Sequence, residues 1–90
     1  MSLTVRAILD DACRYFGVSE LELLAHRRAY SRERQMIMWL CRKHTDKSLG
    51  MIGKVLGGRD HTTVHSGCRV IDKALASDSA VAKHIEALEK

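Results

Sequence analysis

The chain has 90 residues and a mass of 10.1 kDa, which allows one small domain (residues 1–90) but not a deep enclosed catalytic cleft. Its longest unbroken apolar run, Met36–Cys41, is far too short to cross a membrane. The formal net charge of +4 is concentrated, because residues 26–43 hold six basic residues and one acidic residue. A phosphate polyanion would explain this concentration, although a solvated charged surface is the simpler alternative.

The first residues of the chain and the cysteines indicate the cellular compartment of the protein. The start, Met1-Ser2-Leu3, has no positively charged flank and leads directly into a patterned helix, so we expect no export signal and a cytoplasmic protein. Cys13, Cys41 and Cys68 are odd in number and stand singly within apolar patterns. This arrangement is typical of reduced, buried thiols rather than of a disulfide framework.

The first quarter of the chain predicts two helices. An apolar repeat at helical spacing ends at Phe16, and Gly17 stands where a helix C-cap is expected. Ser19 followed by Glu22 has the spacing of a capping box, which predicts a short second helix ending near Leu24.

A basic loop and two further helices follow. Residues 25–30, called here the basic loop, lose the apolar pattern and are predicted to be exposed. From about Arg32 to His44 an apolar run is bounded by charge on both sides, which favours a buried central helix. Ser48 can then cap a helix over residues 49–56.

The octet GGRDHTTV at residues 57–64 places a helix stop, a turn and a polar helix start in succession. Two glycines supply the positive φ angles that end one helix and permit a tight reversal. Asp60 can cap the next helix by accepting a backbone N–H, and His61, Thr62 and Thr63 form its first turn. Because a recognition helix touches bases with its N-terminal residues, the octet fits a helix-turn-helix; an ordinary capped helix is the alternative.

The helix that starts at His61 is predicted to reach about Leu75 and to have two faces. One face is apolar at helical spacing: Val64, Cys68, Ile71 and Leu75. The other repeats the same spacing with polar residues: Thr62, Ser66, Arg69 and Lys73. A last helix, Val81 to about Leu88, is predicted to pack back on the bundle after a polar connector.

Four stretches of the chain, in the same order, match a known family: Leu23-Leu24 before the basic loop, Arg34-Gln35-Met36, GGRDHTTV at 57–64 and Cys68-Arg69. Together they resemble the C-terminal DNA-binding domain of the bacterial chromosomal replication initiator DnaA, over about Val5 to Leu75. The resemblance implies an all-α fold, a small helical bundle containing a helix-turn-helix. It also implies binding to DnaA boxes, short duplex sites of the TTATCCACA type.

The resemblance implies roles for the matching residues. Base-edge contacts in the major groove fall on Asp60, His61 and Thr62, and the chemistry agrees, since Asp accepts from a cytosine amino group and a threonine methyl packs on thymine. A contact with a thymine methyl falls on Leu49. Backbone and phosphate contacts fall on a second group: Arg34, Gln35, Arg42, Ser48 and Thr63. Three more positions complete the candidate interface: Arg59, Ser66 and Arg69.

The family also inserts an arginine of the basic loop into the minor groove. Arg28 is the candidate here, or failing it Arg27. The loop between Leu24 and Arg34 is about two residues shorter than in the best-known members, and Glu33 replaces a proline, so both arginines remain candidates.

No residue pattern predicts catalysis, because neither a Ser/His/Asp arrangement nor a pair of carboxylates can be placed in so small a chain. His61, His65 and Cys68 have a spacing that could present metal ligands, but a core cysteine and a base-contacting histidine explain them more simply. We therefore expect no metal and no cofactor within this chain. ATP and Mg²⁺ are expected only if an ATPase module lies outside it.

The expected partner is double-stranded DNA carrying DnaA-box-like sites, with replication-initiation proteins as further partners and no membrane. The isolated domain is expected to be monomeric and nucleoid-associated. The alternative is a stand-alone regulator or a protein-interaction module that keeps the fold without an origin function. The sequence leaves open whether the chain is a fragment of a full-length initiator.

Overall fold

The computed structural model of the protein describes residues 4–25 and 27–90, and over these residues it contains six α-helices and no β-strand. The expectations for Met1–Leu3 and for His26 lie outside the described residues. The helices are α1 (Val5–Phe16), α2 (Glu20–Ala25), α3 (Ser31–His44), α4 (Leu49–Val55), α5 (His61–Ser77) and α6 (Ser79–Glu89). The predicted all-α fold with a helix-turn-helix, here α4, a turn and α5, is confirmed.

The predicted caps set the first two helices. Gly17 ends α1 in the left-handed conformation at φ 68°. The Ser19 hydroxyl accepts a hydrogen bond from the Glu22 backbone N–H at 3.1 Å, so α2 begins where the sequence predicts. Only this half of the capping box forms, because the Glu22 carboxylate accepts from the Ser19 hydroxyl at 3.2 Å.

α3 is the central helix, and it packs against all five of the others. Its apolar run is buried on several sides, with Ile37 and Cys41 fully inaccessible to solvent. Trp39 lies at the edge of this core, where its indole N–H donates to Asp72 of α5 at 2.7 Å. The uninterrupted apolar stretch is therefore explained by neighbours around most of the helix.

Two fully buried thiols lie in the packed α3–α5 region, Cys41 and Cys68. Burial raises the pKa of Cys41 to about 12, and the neighbouring Cys68 adds to the effect. Burial likewise raises the pKa of Cys68. All three cysteines of the chain are free, as predicted, but Cys13 is only half-buried, so the predicted burial holds for Cys41 and Cys68 alone.

The helix-turn-helix forms where the sequence predicts it, with α4 ending at Val55, one residue before the predicted end. The Ser48 hydroxyl caps α4 by accepting from the Met51 backbone N–H at 3.2 Å. Gly57 and Gly58 form the turn at φ 84° and 76°, in the left-handed region that L-residues with side chains avoid.

The two predicted faces of α5 are confirmed with one change. Its apolar face is buried at Val64, Cys68 and Ile71, but Ala74 is buried at 8% exposure where Leu75 is only half-buried. The opposite face is exposed at each predicted position: Thr62, Ser66, Arg69 and Lys73.

α6 begins two residues before the predicted Val81. The Asp78 carboxylate caps it by accepting from the backbone N–H groups of Ala80 and Val81. Val81 and Ile85 are buried against the bundle. Across the described helices, none is long and apolar enough to cross a membrane.

Gly53 lets α4 approach the turn more closely than any other residue could. Its carbonyl accepts from the Arg59 backbone N–H at 2.8 Å. A Cβ atom at position 53 would lie 2.0 Å from the Arg59 carbonyl oxygen and 3.4 Å from a methyl group of Val64. The nearest obstacle is backbone, so relief requires the turn itself to move.

Gly53→Ala is therefore expected to lower the free energy of unfolding by at least roughly 1–3 kcal/mol, since the added methyl group must displace the turn. Gly50→Ala is the matched control on the same helix, where the nearest atom to an added Cβ is the Ser48 hydroxyl oxygen at 3.9 Å. The control should raise stability by about 0.5–1 kcal/mol through reduced backbone entropy. Urea unfolding of both variants measures the difference, and stabilisation by both would contradict the close approach.

Candidate nucleic-acid interface

Residues 27–29 of the basic loop turn their carbonyl groups inward, and Arg27 and Arg28 turn their side chains outward. The Arg27 and Ala29 carbonyls accept from the guanidinium of Arg34, at 2.7 and 2.5 Å. The Arg28 carbonyl accepts from the Ser31 hydroxyl at 2.7 Å. Arg27 and Arg28 themselves are exposed. Because the electronegative oxygens are bound within the domain, the loop presents chiefly positive charge to solvent.

Arg34 is buried within the domain. Only 4% of the residue is exposed. Besides the two loop carbonyls, its guanidinium donates to the Leu23 carbonyl at 2.8 Å and to the Ser31 hydroxyl at 3.3 Å. Burial, and after it the charge of Arg59, lowers the pKa of Arg34. These bonds give the guanidinium a role within the domain, and its contact with the DNA backbone stays a prediction.

Arg59 joins the turn of the helix-turn-helix to α2. Its guanidinium donates to the Leu56 carbonyl at 2.5 Å and to the Leu24 carbonyl at 3.3 Å. The side chain is partly buried, and burial lowers its pKa. These bonds give the residue a role within the domain. Its contact with DNA stays a prediction.

The first turn of α5 carries an exposed polar cluster. The Asp60 carboxylate accepts from the Thr62 hydroxyl at 2.9 Å, and its other oxygen lies 2.9 Å from Nδ1 of His61. Asp60 occupies the N-cap position without a capping hydrogen bond of normal geometry, so the predicted cap is not formed, although the nearby backbone N–H groups of His61 and Thr62 help to lower its pKa. The carboxylate is bound instead by the two side chains that follow it.

The Asp60 carboxylate of this cluster is negatively charged. The Thr62 hydroxyl bond stabilises the ionised carboxylate and lowers the pKa of Asp60, and the neighbouring His61 contributes in the same direction. Asp60 is therefore ionised at neutral pH and can only accept hydrogen bonds. The positive end of the α5 dipole lies at the same place and favours the same charge state.

The basic loop and α5 face each other across a concave surface, called here the loop–helix cleft. Polar side chains from α3, the turn and α5 line it together with one loop arginine: Arg27, Ser31, Arg34, Gln35, Arg59, Thr63 and Ser66. An adjoining depression is lined by Arg27, Asp60 and Thr63 as well. The structure thus brings together the loop, the start of α3 and the start of α5.

The remaining predicted contacts lie away from this cleft. Arg42 is exposed further along α3, with its guanidinium 4.0 Å from the Asp72 carboxylate. Ser48 is exposed at the start of α4, and Leu49 beside it is half-buried. Arg69 is exposed on α5. Their proposed contacts with DNA stay predictions.

The three residues with metal-ligand spacing do not converge. Cys68 is fully buried, whereas His61 and His65 are exposed on the same helix. Within residues 4–25 and 27–90, no group of three potential ligands is placed to hold a metal ion.

Sequence reasoning missed two residues that shape this surface. Gly53 resembles any glycine within a short helix, and nothing in the local pattern indicates a backbone contact. Ser31 stands directly before the predicted third helix and binds the loop carbonyl three residues earlier. A serine at a helix start is a recognisable signal, but its partner depends on the loop conformation.

A helix-turn-helix whose second helix begins with an exposed polar turn beside a basic loop defines the class of nucleic-acid-binding helix-turn-helix domains. The family model described as the bacterial dnaA protein helix-turn-helix matches residues 5–71. The chain belongs to this family of DnaA C-terminal helix-turn-helix domains.

Curated relatives agree with this assignment. The chromosomal replication initiator protein DnaA of Jannaschia sp. (strain CCS1) is 38% identical over 90 residues, which cover 98% of this chain and 19% of the relative. The protein of the same name from Caulobacter vibrioides (strain NA1000 / CB15N) is 39% identical over 90 residues, covering 98% and 18%. That of Treponema denticola (strain ATCC 35405) is 35% identical, covering 97% and 19%. The chain therefore spans about a fifth of the length of these relatives.

The Asp60–Thr62 hydrogen bond predicts a titration. Thr62→Val removes the hydroxyl that favours the ionised carboxylate, so the pKa of Asp60 should rise toward its ordinary value. A lowered folded-state pKa stabilises the protein above the ordinary pKa of Asp, and this contribution is lost as the pH falls through the folded value. Carboxyl ¹³C NMR across acid pH measures the change, with Thr63→Val as the control. An unchanged Asp60 titration in Thr62→Val would contradict the bond.

Proposed function

We propose that this domain binds double-stranded DNA sequence-specifically at DnaA-box-type sites, as in origin recognition during the initiation of chromosomal replication. The observation that carries the proposal is the exposed Asp60–His61–Thr62 cluster at the start of α5, beside a loop that presents two arginines. A recognition helix contacts base edges with this end, and a basic arm supplies the second contact. Family membership supports the same function.

Each residue of the cluster has a suitable chemistry. Ionised Asp60 is an acceptor for a cytosine amino group, and the Thr62 methyl can pack on a thymine methyl. The His61 ring can donate or accept at a base edge. These groups discriminate between bases because a wrong base leaves a desolvated polar group without a partner.

Sequence-independent affinity is proposed to come from positions around the cluster. Thr63, Gln35 and Ser66 lie in the loop–helix cleft, where a backbone strand passing between the loop and α5 would be within reach. Exposed Arg42, Ser48 and Arg69 are proposed as further phosphate contacts, with Leu49 against a thymine methyl. Arg34 lines the same cleft and is proposed as a further backbone contact in addition to its bonds within the domain.

We further propose that residues 1–90 act as one non-catalytic unit without a metal or cofactor of their own, in the cytoplasm and at the nucleoid. The isolated domain is proposed to be a monomer. ATP and Mg²⁺ are expected only if an ATPase module lies outside this chain, and replication-initiation proteins are proposed as further partners. The matching relatives are replication initiator proteins by name, which supports a role of this domain in replication initiation.

The second candidate is a regulator or protein-interaction module that keeps the fold without an origin function. Gel-shift competition separates the two, using a duplex with a DnaA box and a scrambled duplex of the same composition. The proposed function expects the box to compete strongly and the scrambled duplex weakly. Equal competition by the box duplex and the scrambled duplex would contradict sequence-specific binding.

The residues of the cluster should carry the specificity. His61→Ala or Thr62→Ala is expected to weaken binding to the box duplex by about 1–3 kcal/mol and to affect the scrambled duplex much less. His84→Ala, on α6, is the matched control for loss of an imidazole. Fluorescence anisotropy titrations on both duplexes measure the difference. A loss of equal size on both duplexes would show that the cluster does not contact bases specifically.

The two loop arginines should differ in their dependence on sequence. A minor-groove arginine gains from a narrow A·T-rich groove, so Arg28→Ala should weaken binding chiefly when one end of the site is A·T-rich. Replacing that end with G·C pairs should remove most of the difference, because the guanine amino group obstructs the groove. Arg27→Ala should act almost uniformly, as the loss of a phosphate contact does.

Binding of each variant to the A·T-ended and G·C-ended duplexes at one salt concentration tests this assignment, with Arg14→Ala on α1 as the charge control. A sequence-dependent loss in Arg27→Ala instead would exchange the roles of the two arginines. No dependence in either variant would limit the loop to backbone contacts.

A further inference from the structure

We propose that Arg34 and Arg59 are a pair of positioning residues that fix the basic loop relative to the recognition helix by binding neighbouring carbonyls at the end of α2. The inference rests on the proposed function, since it assigns the two guanidinium groups the task of setting the distance between two DNA-contacting elements.

The carbonyl groups at the end of α2 connect the two elements. The last carbonyls of a helix have no partner within it, and a six-residue helix has few others. Arg34 donates to the carbonyl of Leu23, and Arg59 donates to the carbonyl of Leu24. One arginine comes from α3 and the other from the turn before α5. Positive groups at the negative end of the α2 dipole are also favourable.

Each guanidinium then extends to a second element. Arg34 binds the Arg27 and Ala29 carbonyls, so it holds both sides of the loop arginine Arg28. Arg59 binds the Leu56 carbonyl directly after α4. The loop and the helix-turn-helix are therefore attached to the same end of α2 by side-chain bonds.

The loop requires such restraint because it ends in an unfavourable backbone conformation. Tyr30 precedes α3 at φ 62°, in the left-handed region, and it is the one residue other than glycine with a positive φ in the described part of the chain. Conformations of this kind persist when surrounding contacts determine them. The hydrogen bonds from Arg34 to the carbonyls of Ala29 and Arg27 supply those contacts.

The geometry needs arginine at both positions. A guanidinium is a planar fork with five N–H donors, and it can bind carbonyls that lie in different directions. A lysine keeps the positive charge but carries it on a single nitrogen atom. Arg34→Lys and Arg59→Lys therefore separate positioning from charge, because a simple phosphate contact would largely survive either change.

The test compares Arg34→Lys and Arg59→Lys on the A·T-ended and G·C-ended duplexes, with Arg32→Lys as the matched control. Arg32 lies on the same helix as Arg34 and is exposed. We expect each positioning variant to lose at least about fivefold in affinity on the A·T-ended duplex, the lower end of typical coupling between sites. The G·C-ended duplex should show much smaller losses, since its binding gains less from a correctly placed loop.

Limited trypsin digestion gives a readout without DNA. In Arg34→Lys the loop should be cleaved after Arg27 or Arg28 several times faster than in the wild type. Cleavage within α5 after Arg69 should keep its wild-type rate, which excludes general unfolding as the cause. Arg32→Lys should leave both rates unchanged.

Three results would overturn the proposal. Unchanged affinity for the A·T-ended duplex in both variants would show that neither guanidinium group is needed to position the loop. Equal losses on both duplexes would show a general loss of structure. Loop cleavage at the wild-type rate in Arg34→Lys would show that the guanidinium does not hold the loop. A wild-type protein that fails to prefer the box would instead refute the proposed function, and the digestion would still decide whether Arg34 fixes the loop.

Discussion

A buried guanidinium is stable only when its donors are hydrogen-bonded, and this constraint governs the side of the domain that carries the basic loop. Arg34 is 4% exposed and lies at the start of the helix that carries the core. Leaving such a charge unpaired is strongly destabilising, so the loop and α2 must keep their carbonyls within reach. The loop conformation is thereby tied to the folding of α3 itself. The exposed arginines of the loop are presented by a segment that the core holds in place.

The helices could be predicted from the sequence because their signals are local. The apolar repeat before Phe16, the capping serines and the paired glycines act over a few residues, and each gave an element close to the observed one. The start of α6 differed because Asp78 caps it, and Asp78 lay within a connector of otherwise similar polar residues. Boundaries of this kind depend on which of several polar residues acts as the cap.

The site could be predicted in part, and there is a physical reason why the burial of Arg34 could not. The sequence shows a basic residue in a basic segment, which is equally consistent with a phosphate contact and with a buried donor. Only the position of Leu23, Arg27 and Ala29 in space distinguishes the two. The same limit applies to Asp60, whose choice between a backbone N–H and the Thr62 hydroxyl depends on a side-chain rotation. Long-range and rotameric choices leave no trace in residue spacing.

Chemical modification of buried Cys41 can report local opening of the α3–α5 region. The thiolate is the reactive form of cysteine, and because burial raises the pKa of Cys41 to about 12, very little of that thiol is ionised at neutral pH. Oxidants and alkylating agents must therefore wait for the helices to separate before they meet a reactive, solvated sulfur. The rate at which Cys41 is modified in the native protein then reports how often this part of the core opens, whereas half-buried Cys13 reports only local exposure on α1.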